Sequence, residues 1–392
     1  MAFKPVKSLL VAVFSVFALA ICNVSFSQGG ETPQHEADSS PDGHDEPKKE
    51  GFDAEEVIFN HVLNAYEFHF MDIVGDNGEK HPITLSLPVI VYSSRPGDGG
   101  GFSVFSSSRF EHGHKAYNGY KLHDGKVVAV DASGHIDESV KIYDLSLTRN
   151  VVQMLLALII LTWLMLSIAK KYRNGYGVTS APKGSQNLME PVITFIRDEV
   201  AKPNLGPRYQ KYLPYLLTVF LFILINNIFG LIPGSANVTG NIAFTVVLGV
   251  ISFVVTLFSA NKHYWAHIFW PPVPGFVKFI MIPVEILSIF TKPFALIIRL
   301  FANMLAGHII IICLISLIFI FANISNIVGS LFTPVSIAFA TFIYLIEILV
   351  AFIQAFIFTN LTAVFIGQAI EDNHHTEEEA HRGAPPTDPV II

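Results

Sequence analysis

Cysteine is nearly missing from this chain: Cys22 and Cys313 are the only two in 392 residues. Both lie in long apolar runs far apart in the sequence, so no disulfide framework is available. Charge is also scarce, at 15% of residues against 51% hydrophobic. No lysine- and arginine-rich patch suits a nucleic acid, and the net charge of −7 comes from acidic residues near the two ends. Metal-ligand spacing is lacking too. His112 and His114 would share one face of a strand, but no third and fourth ligand follow at a defined distance, so no metal or other cofactor is expected. No internal repeat is visible, which weighs against an ion-coupled secondary transporter, the alternative reading. No sizeable domain follows the last apolar run, which weighs against a membrane sensor with an output domain. The balance that remains is that of a membrane protein carrying a small soluble part.

Residues 1–27 read as a secretory signal: Lys4 and Lys7, an apolar core, then Ser25-Phe26-Ser27 as a small-x-small cleavage site. Residues 28–51 are rich in Glu, Asp, Pro, Gly and Ser and are expected to be a disordered acidic linker. Residues 52–145 are expected to form a small β-rich extracytoplasmic domain. It would have a short helix at 55–64 and strands at 69–74, 83–92, 102–105, 126–130 and 140–143. The membrane part, 147–370, is predicted to be all-α and polytopic. It holds five transmembrane helices, near 151–169, 212–231, 242–260, 293–321 and 334–368. Residues 186–202 alternate apolar and charged groups at helical spacing and are expected to lie at the membrane interface as one helix. After the third span a loop carries Lys262, His263 and His267, and residues 371–392 form a polar tail. Lysine and arginine collect in the loops after the first and third spans, while the turns 232–241 and 322–333 have none. The positive loops belong in the cytoplasm, which puts the β-rich domain outside and the tail inside. The last two spans are too long for a hydrocarbon core of about 30 Å and must tilt strongly.

The fourth span carries Arg299 in its middle. A guanidinium keeps its proton, and placing it at bilayer depth costs roughly 2.5–3.5 kcal/mol on insertion scales. It should therefore face a polar cavity or a fixed anion. Asn303 lies one turn on, on the same face, and His308 points elsewhere. Counting from a turn centred near Ile327 and Val328 puts His308 level with Glu347, and Arg299 level with Gln354 and Phe356. Glu347 and Gln354 share one helix face. Glu285, Ser288 and Thr291 precede Arg299 toward the cytoplasmic end, and Asn226 and Asn227 are paired amides in the second span. Intramembrane groups of this kind mark a conduction path.

Three stretches carry a resemblance: NNIFGLIP at 226–233, PVEILSIFTKPFALIIRLFANMLAGH at 283–308 and QAFIFTNLT at 354–362. They resemble subunit a of the F-type ATP synthase membrane sector, and the likeness covers about 147–369. The resemblance implies a bacterial inner-membrane subunit within the ATP synthase complex. It would be a proton-translocating stator with no ATP chemistry of its own. Its implied partners are a rotating c-subunit ring, the b-subunit peripheral stalk, membrane lipid and protons. Arg299 would face a ring carboxylate, with Asn303 and Gln354 beside it. His308 and Glu347, with Asn226 and Asn227, would form the outer proton path, and Glu285, Ser288 and Thr291 the cytoplasmic one. Ala302 stands where many members have glycine, and residues 28–144 lie outside the shared pattern.

Overall fold

The computed structural model describes residues 65–74, 80–94, 101–113, 115–123, 125–131, 135–137, 139–175, 184–232, 235–270 and 274–370. The expected signal, acidic linker, short helix at 55–64 and polar tail lie outside these residues, as does His114.

Seven short strands open the described chain: β1 Glu67–Val74, β2 Lys80–Ser86, β3 Pro88–Ser93, β4 Gly101–Ser106, β5 Tyr120–His123, β6 Lys126–Ala129 and β7 Ile142–Asp144. They pair antiparallel in three small sheets, β1-β2, β4-β3-β7 and β5-β6. Strand β3 shows why. Its side chains alternate, and Val89 and Val91 turn inward onto Tyr66, Phe110, Tyr120 and Val127. The run expected as one strand over 83–92 is two, β2 and β3. At the junction, the Leu87 amide donates to the Tyr66 carbonyl in register with β1, and the Leu87 carbonyl accepts from the Ser107 amide in register with β4, so the chain passes from one sheet to the next at this residue. The strand expected to carry His112 is a 3-10 helix, Ser107–Gly113, and β5 is an addition to the expected set.

Five helices long and apolar enough to cross a membrane follow. They belong to α1 Arg149–Arg173, α4 Tyr209–Leu231, α5 Ile242–Ser259, α7 Gly275–Ile324 and α8 Asn326–Ile370. Three shorter helices lie between them: α2 Ser185–Phe195, α3 Lys202–Leu205 and α6 Lys262–Phe269. The fold is thus mostly helical and membrane-spanning, with a small antiparallel β region before it. Helix α4 is apolar on all sides and forms the centre of the bundle, as such a helix should. Its Leu216, Phe220 and Ile223 are fully buried among Ala157 and Leu161 of α1, Leu296 and Leu300 of α7 and Phe358 of α8.

Two expected elements change form. The single interfacial helix over 186–202 is α2, a π-helical turn Ile196–Ala201, and α3. The wider turn lets Ile196, Val200 and Ala201 bury against the bundle, and Phe195 packs on Phe352 and Phe356 of α8. The loop expected after α5 contains helix α6. The fourth span begins at Gly275 and continues through Pro283 and Pro293 to Ile324, 50 residues in all. That is about 75 Å of helix at 1.5 Å per residue, and α8 adds 45 residues more. Neither helix can stand upright in a bilayer. The chain reverses at Ser325, slightly before the expected turn centre.

Candidate functional site

Helices α7 and α8 pack antiparallel, and a few close contacts fix their register. Near the turn a Cβ on Gly329 would meet the Ala322 backbone at 2.8 Å. Farther on, the space beside Gly307 is filled by Glu347, whose Oε1 lies 1.7 Å from where a Cβ would stand. Only glycine leaves room for this carboxylate, and it sets Glu347 beside the residue that precedes His308. Glu347 is buried and His308 half-buried. Next, Asn303 donates from Nδ2 to Gln354 Oε1 at 2.9 Å, and at the far end Lys292 donates to Gln368 Oε1 at 3.0 Å. The level expected for Arg299 opposite Gln354 is therefore held by Asn303, one turn along. Between the first and last of these contacts α8 uses more residues than α7. Its path is longer, and equal counts from the turn drift out of step.

Sequence spacing sorts the faces of α7. Leu296, Leu300 and Met304 recur at four-residue intervals and pack inward. Ala295, Arg299, Ala302 and Ala306 take the exposed side, with Asn303 at its edge toward Gln354. The guanidinium thus stands on an open helix face between small side chains. Among the described residues it has no hydrogen-bond or ion-pair partner. On α8, Glu347, Ala351, Gln354 and Phe358 form the buried side, while Leu345, Ile346, Leu349 and Ile353 are exposed.

Helix α4 brings Asn226 and Asn227 to the same region, both fully buried. Asn227 Nδ2 donates to the Ala351 carbonyl of α8 at 3.0 Å, one turn from Glu347. Asn226 Nδ2 donates to Phe222 O within its own helix at 2.9 Å. The Oδ1 atoms of both, Gln354 Nε2 and Thr239 Oγ1 are buried without a hydrogen-bond partner among the described residues. Buried polar atoms need partners, and internal water is the usual one. Thr239 belongs to a short 3-10 turn, Val238–Gly240, tied down on two sides. Gln153 of α1 exchanges both of its amide hydrogen bonds with Ala236, and Asn237 Nδ2 donates to Met304 O at 2.9 Å. Tyr344 donates to Leu231 O at 3.0 Å. Sequence reasoning missed Thr239, Gln153 and Tyr344. Gln153 had a signal, a lone amide in an apolar span, while a threonine in an uncharged turn has none.

At the other end of α7, Glu285 and Ser288 are half-buried, Thr291 is exposed, and the Thr291 hydroxyl donates to Ser288 O at 3.1 Å. Tyr264 of α6 stands near. Burial first, and then the Glu285 carboxylate, hold its phenol above the usual range. A narrow cleft lined by Ser252, Thr256, Tyr264, Lys292 and Gln368 opens here. Lys292 was not among the expected site residues. No cluster of three or more metal-ligating side chains occurs among the described residues.

These features define a class: a polytopic membrane protein that gathers ionisable and amide groups at bilayer depth, the arrangement of proteins that handle ions. Comparison narrows it. Residues 151–367 match the family described as ATP synthase A chain, more than half of the sequence, and the chain belongs to that family. Residues 57–145 match a domain of unknown function (DUF8433). "ATP synthase subunit a" of Chloroherpeton thalassium is 48% identical over 247 residues, covering 62% of this chain and 72% of the relative. "ATP synthase subunit a 2" of Prosthecochloris aestuarii is 41% identical over 317 residues, covering 76% and 94%. "ATP synthase subunit a 2" of Chlorobaculum tepidum is 48% identical over 255 residues, covering 62% and 69%. The second similarity is too long for the membrane part alone, so it runs into the β region.

Proposed function

We propose that this chain is the proton-translocating stator subunit of a bacterial F-type ATP synthase, coupling proton flow to rotation of a c-subunit ring. The observation that carries the reading is Arg299, an exposed guanidinium among small residues in the middle of α7, with no partner among the described residues. At bilayer depth such a cation needs an anion supplied from outside the chain. A carboxylate on each ring subunit supplies it, and Ala295, Ala302 and Ala306 let a ring helix approach closely. The b-subunit peripheral stalk is the other expected partner.

The path has two halves. Protons enter from outside by way of Asn226, Asn227, His308 and Glu347, and the unpartnered buried amide and hydroxyl atoms there favour a water-bearing entry. They leave toward the cytoplasm past Glu285, Ser288 and Thr291. A ring carboxylate that takes up a proton becomes neutral and can turn into lipid. On its return it gives the proton to the inner half. Arg299 stands between the halves. A fixed cation favours the ionised carboxylate, so a ring site releases its proton before it passes, and direct leakage is blocked. Each proton crossing 100 mV contributes about 2.3 kcal/mol, so several are needed for each ATP made elsewhere in the complex. Loop charge puts the β-rich domain on the extracytoplasmic side and the tail in the cytoplasm.

The test is association. Tagged chain purified from membranes should bring a ring of very small hairpin proteins. Oxidation should cross-link Ala302→Cys to a cysteine placed next to the ring carboxylate. Purification with no such ring, or cross-linking only to lipid-facing positions of the ring, would exclude the reading.

A further inference from the structure

The sheet β4-β3-β7 has two unlike faces. One buries Val89 and Val91 in the core of the N-terminal domain. On the other, Phe102, Tyr92 and Tyr143 form a row across all three strands, with ring centroids 5.0 Å and 6.2 Å apart. A second row follows, Val104 opposite Ile90, with Leu145 beyond it donating its amide to the Ile90 carbonyl at 2.9 Å. Phe102 is 70%, Val104 67% and Tyr143 55% exposed. An antiparallel sheet that meets water on one face normally turns polar side chains that way. An apolar face of this extent marks an interaction surface.

The route from this sheet into the membrane identifies what it meets. No free linker separates β7 from α1. Ser146 Oγ accepts from the Ile90 amide at 3.0 Å, Leu147 N donates to Pro88 O at 3.3 Å, and Arg149 N donates to Ala65 O at 2.9 Å. The sheet is therefore fastened to the top of the first span. Tyr143, Leu145 and Leu147 share one side of this extended segment, and the apolar run of α1 begins two residues after Arg149. The stripe on the sheet is continuous with the surface that enters the bilayer. At about 3.3 Å per residue Leu145 lies at most about 13 Å, and Tyr143 about 20 Å, from Arg149. Any inclination of the strand brings both closer to the headgroup layer. Tyrosine is suited to that layer, with an apolar ring and a polar tip. Exposed Lys141, beside this row, adds attraction to anionic headgroups.

We infer that this apolar face, Tyr92, Phe102, Val104, Tyr143 and Leu145, rests on the phospholipid surface and holds the N-terminal domain against the membrane. The inference needs neither the ring nor the proton path, so it stands or falls apart from the proposed function.

The test uses the full chain in vesicles of phosphatidylethanolamine and phosphatidylglycerol. Cys22 and Cys313 are replaced by serine, and one nitroxide is placed at Val104→Cys or, as a control, at exposed Ser139→Cys. Relaxation by membrane-soluble oxygen and by a water-soluble nickel chelate is compared. Oxygen should dominate at Val104→Cys and nickel at Ser139→Cys. Adding Phe102→Glu and Tyr143→Glu should reverse the ratio at Val104→Cys while the helices stay inserted. Nickel access at Val104→Cys equal to the control would overturn the inference by showing an open face. Protection from both reagents would overturn it as well, by showing that protein covers the face.

Discussion

Gly307 is the residue on which the position of Glu347 depends sterically. A Cβ there would collide with Glu347 Oε1, so Gly307→Ala must displace the carboxylate. Alanine is the better helix former by about 1 kcal/mol, and assembly should therefore be unharmed. Misplacement of a reacting group by about 1 Å can cost on the order of a hundredfold. Passive proton conduction in vesicles should fall by about ten- to a hundredfold for Gly307→Ala. Unchanged conduction would mean that the Glu347 position does not matter. His308 and Glu347 should act as one relay, because each protonation state shifts the other. His308→Ala and Glu347→Ala should each slow entry, and the double variant should cost far less than both together. The exchange His308→Glu with Glu347→His should keep more activity than either half. Additive losses, measured as ATP-driven pumping with assembly checked by blotting, would separate the two residues.

At the scale of elements, β7 is clamped by a part-buried contact in which the buried Tyr66 donates to the Asp144 carboxylate. Burial, the Asp144 charge and the hydrogen bond all push the Tyr66 phenol upward. The sign follows: the neutral phenol is favoured in the folded domain, so its contribution is fully present below about pH 10, the unfolded value, and is lost as pH rises beyond it. Thermal unfolding of the domain, followed by tyrosine circular dichroism, should show a stability that declines above about pH 10. It should decline less in Tyr66→Phe, and equal slopes would count against the clamp. Legibility in the sequence varied with the same physics. The spans were readable because apolar runs of that length have few other uses, and the β3 run because its β-branched and aromatic residues favour a strand, although a run apolar on both faces hid the junction at Leu87. Strand β5 was not, since Tyr-Lys-Leu-His is too short and mixed for a period to show. The start of α7 was hidden by Pro283 and Pro293, which end helices in water but are accommodated in a membrane bundle. Arg299, Asn303, Gln354 and Glu347 stood out because polar groups are rare in apolar helices. The Asn303–Gln354 pairing and the Gly307 slot depend on how α8 curves along α7, which no residue count supplies.

The whole molecule has two separable parts. The β region carries none of the groups assigned to the proton path, so deleting residues 65–144 while keeping the first span should leave passive proton conduction intact in an assembled complex. Complete loss of conduction there would place part of the entry route in the β region. The membrane part stands on one claim, that Arg299 faces a titrating partner outside the chain and keeps the two halves of the path apart. ATP-driven proton pumping by membrane vesicles carrying Arg299→Ala tests it most directly. Arg299→Lys serves as the companion variant, because an ammonium keeps the charge without the planar fork of donors. Arg299→Ala should give an assembled complex with no pumping, and Arg299→Lys partial pumping at most; normal pumping by an assembled Arg299→Ala complex would show that Arg299 does not hold the two halves apart.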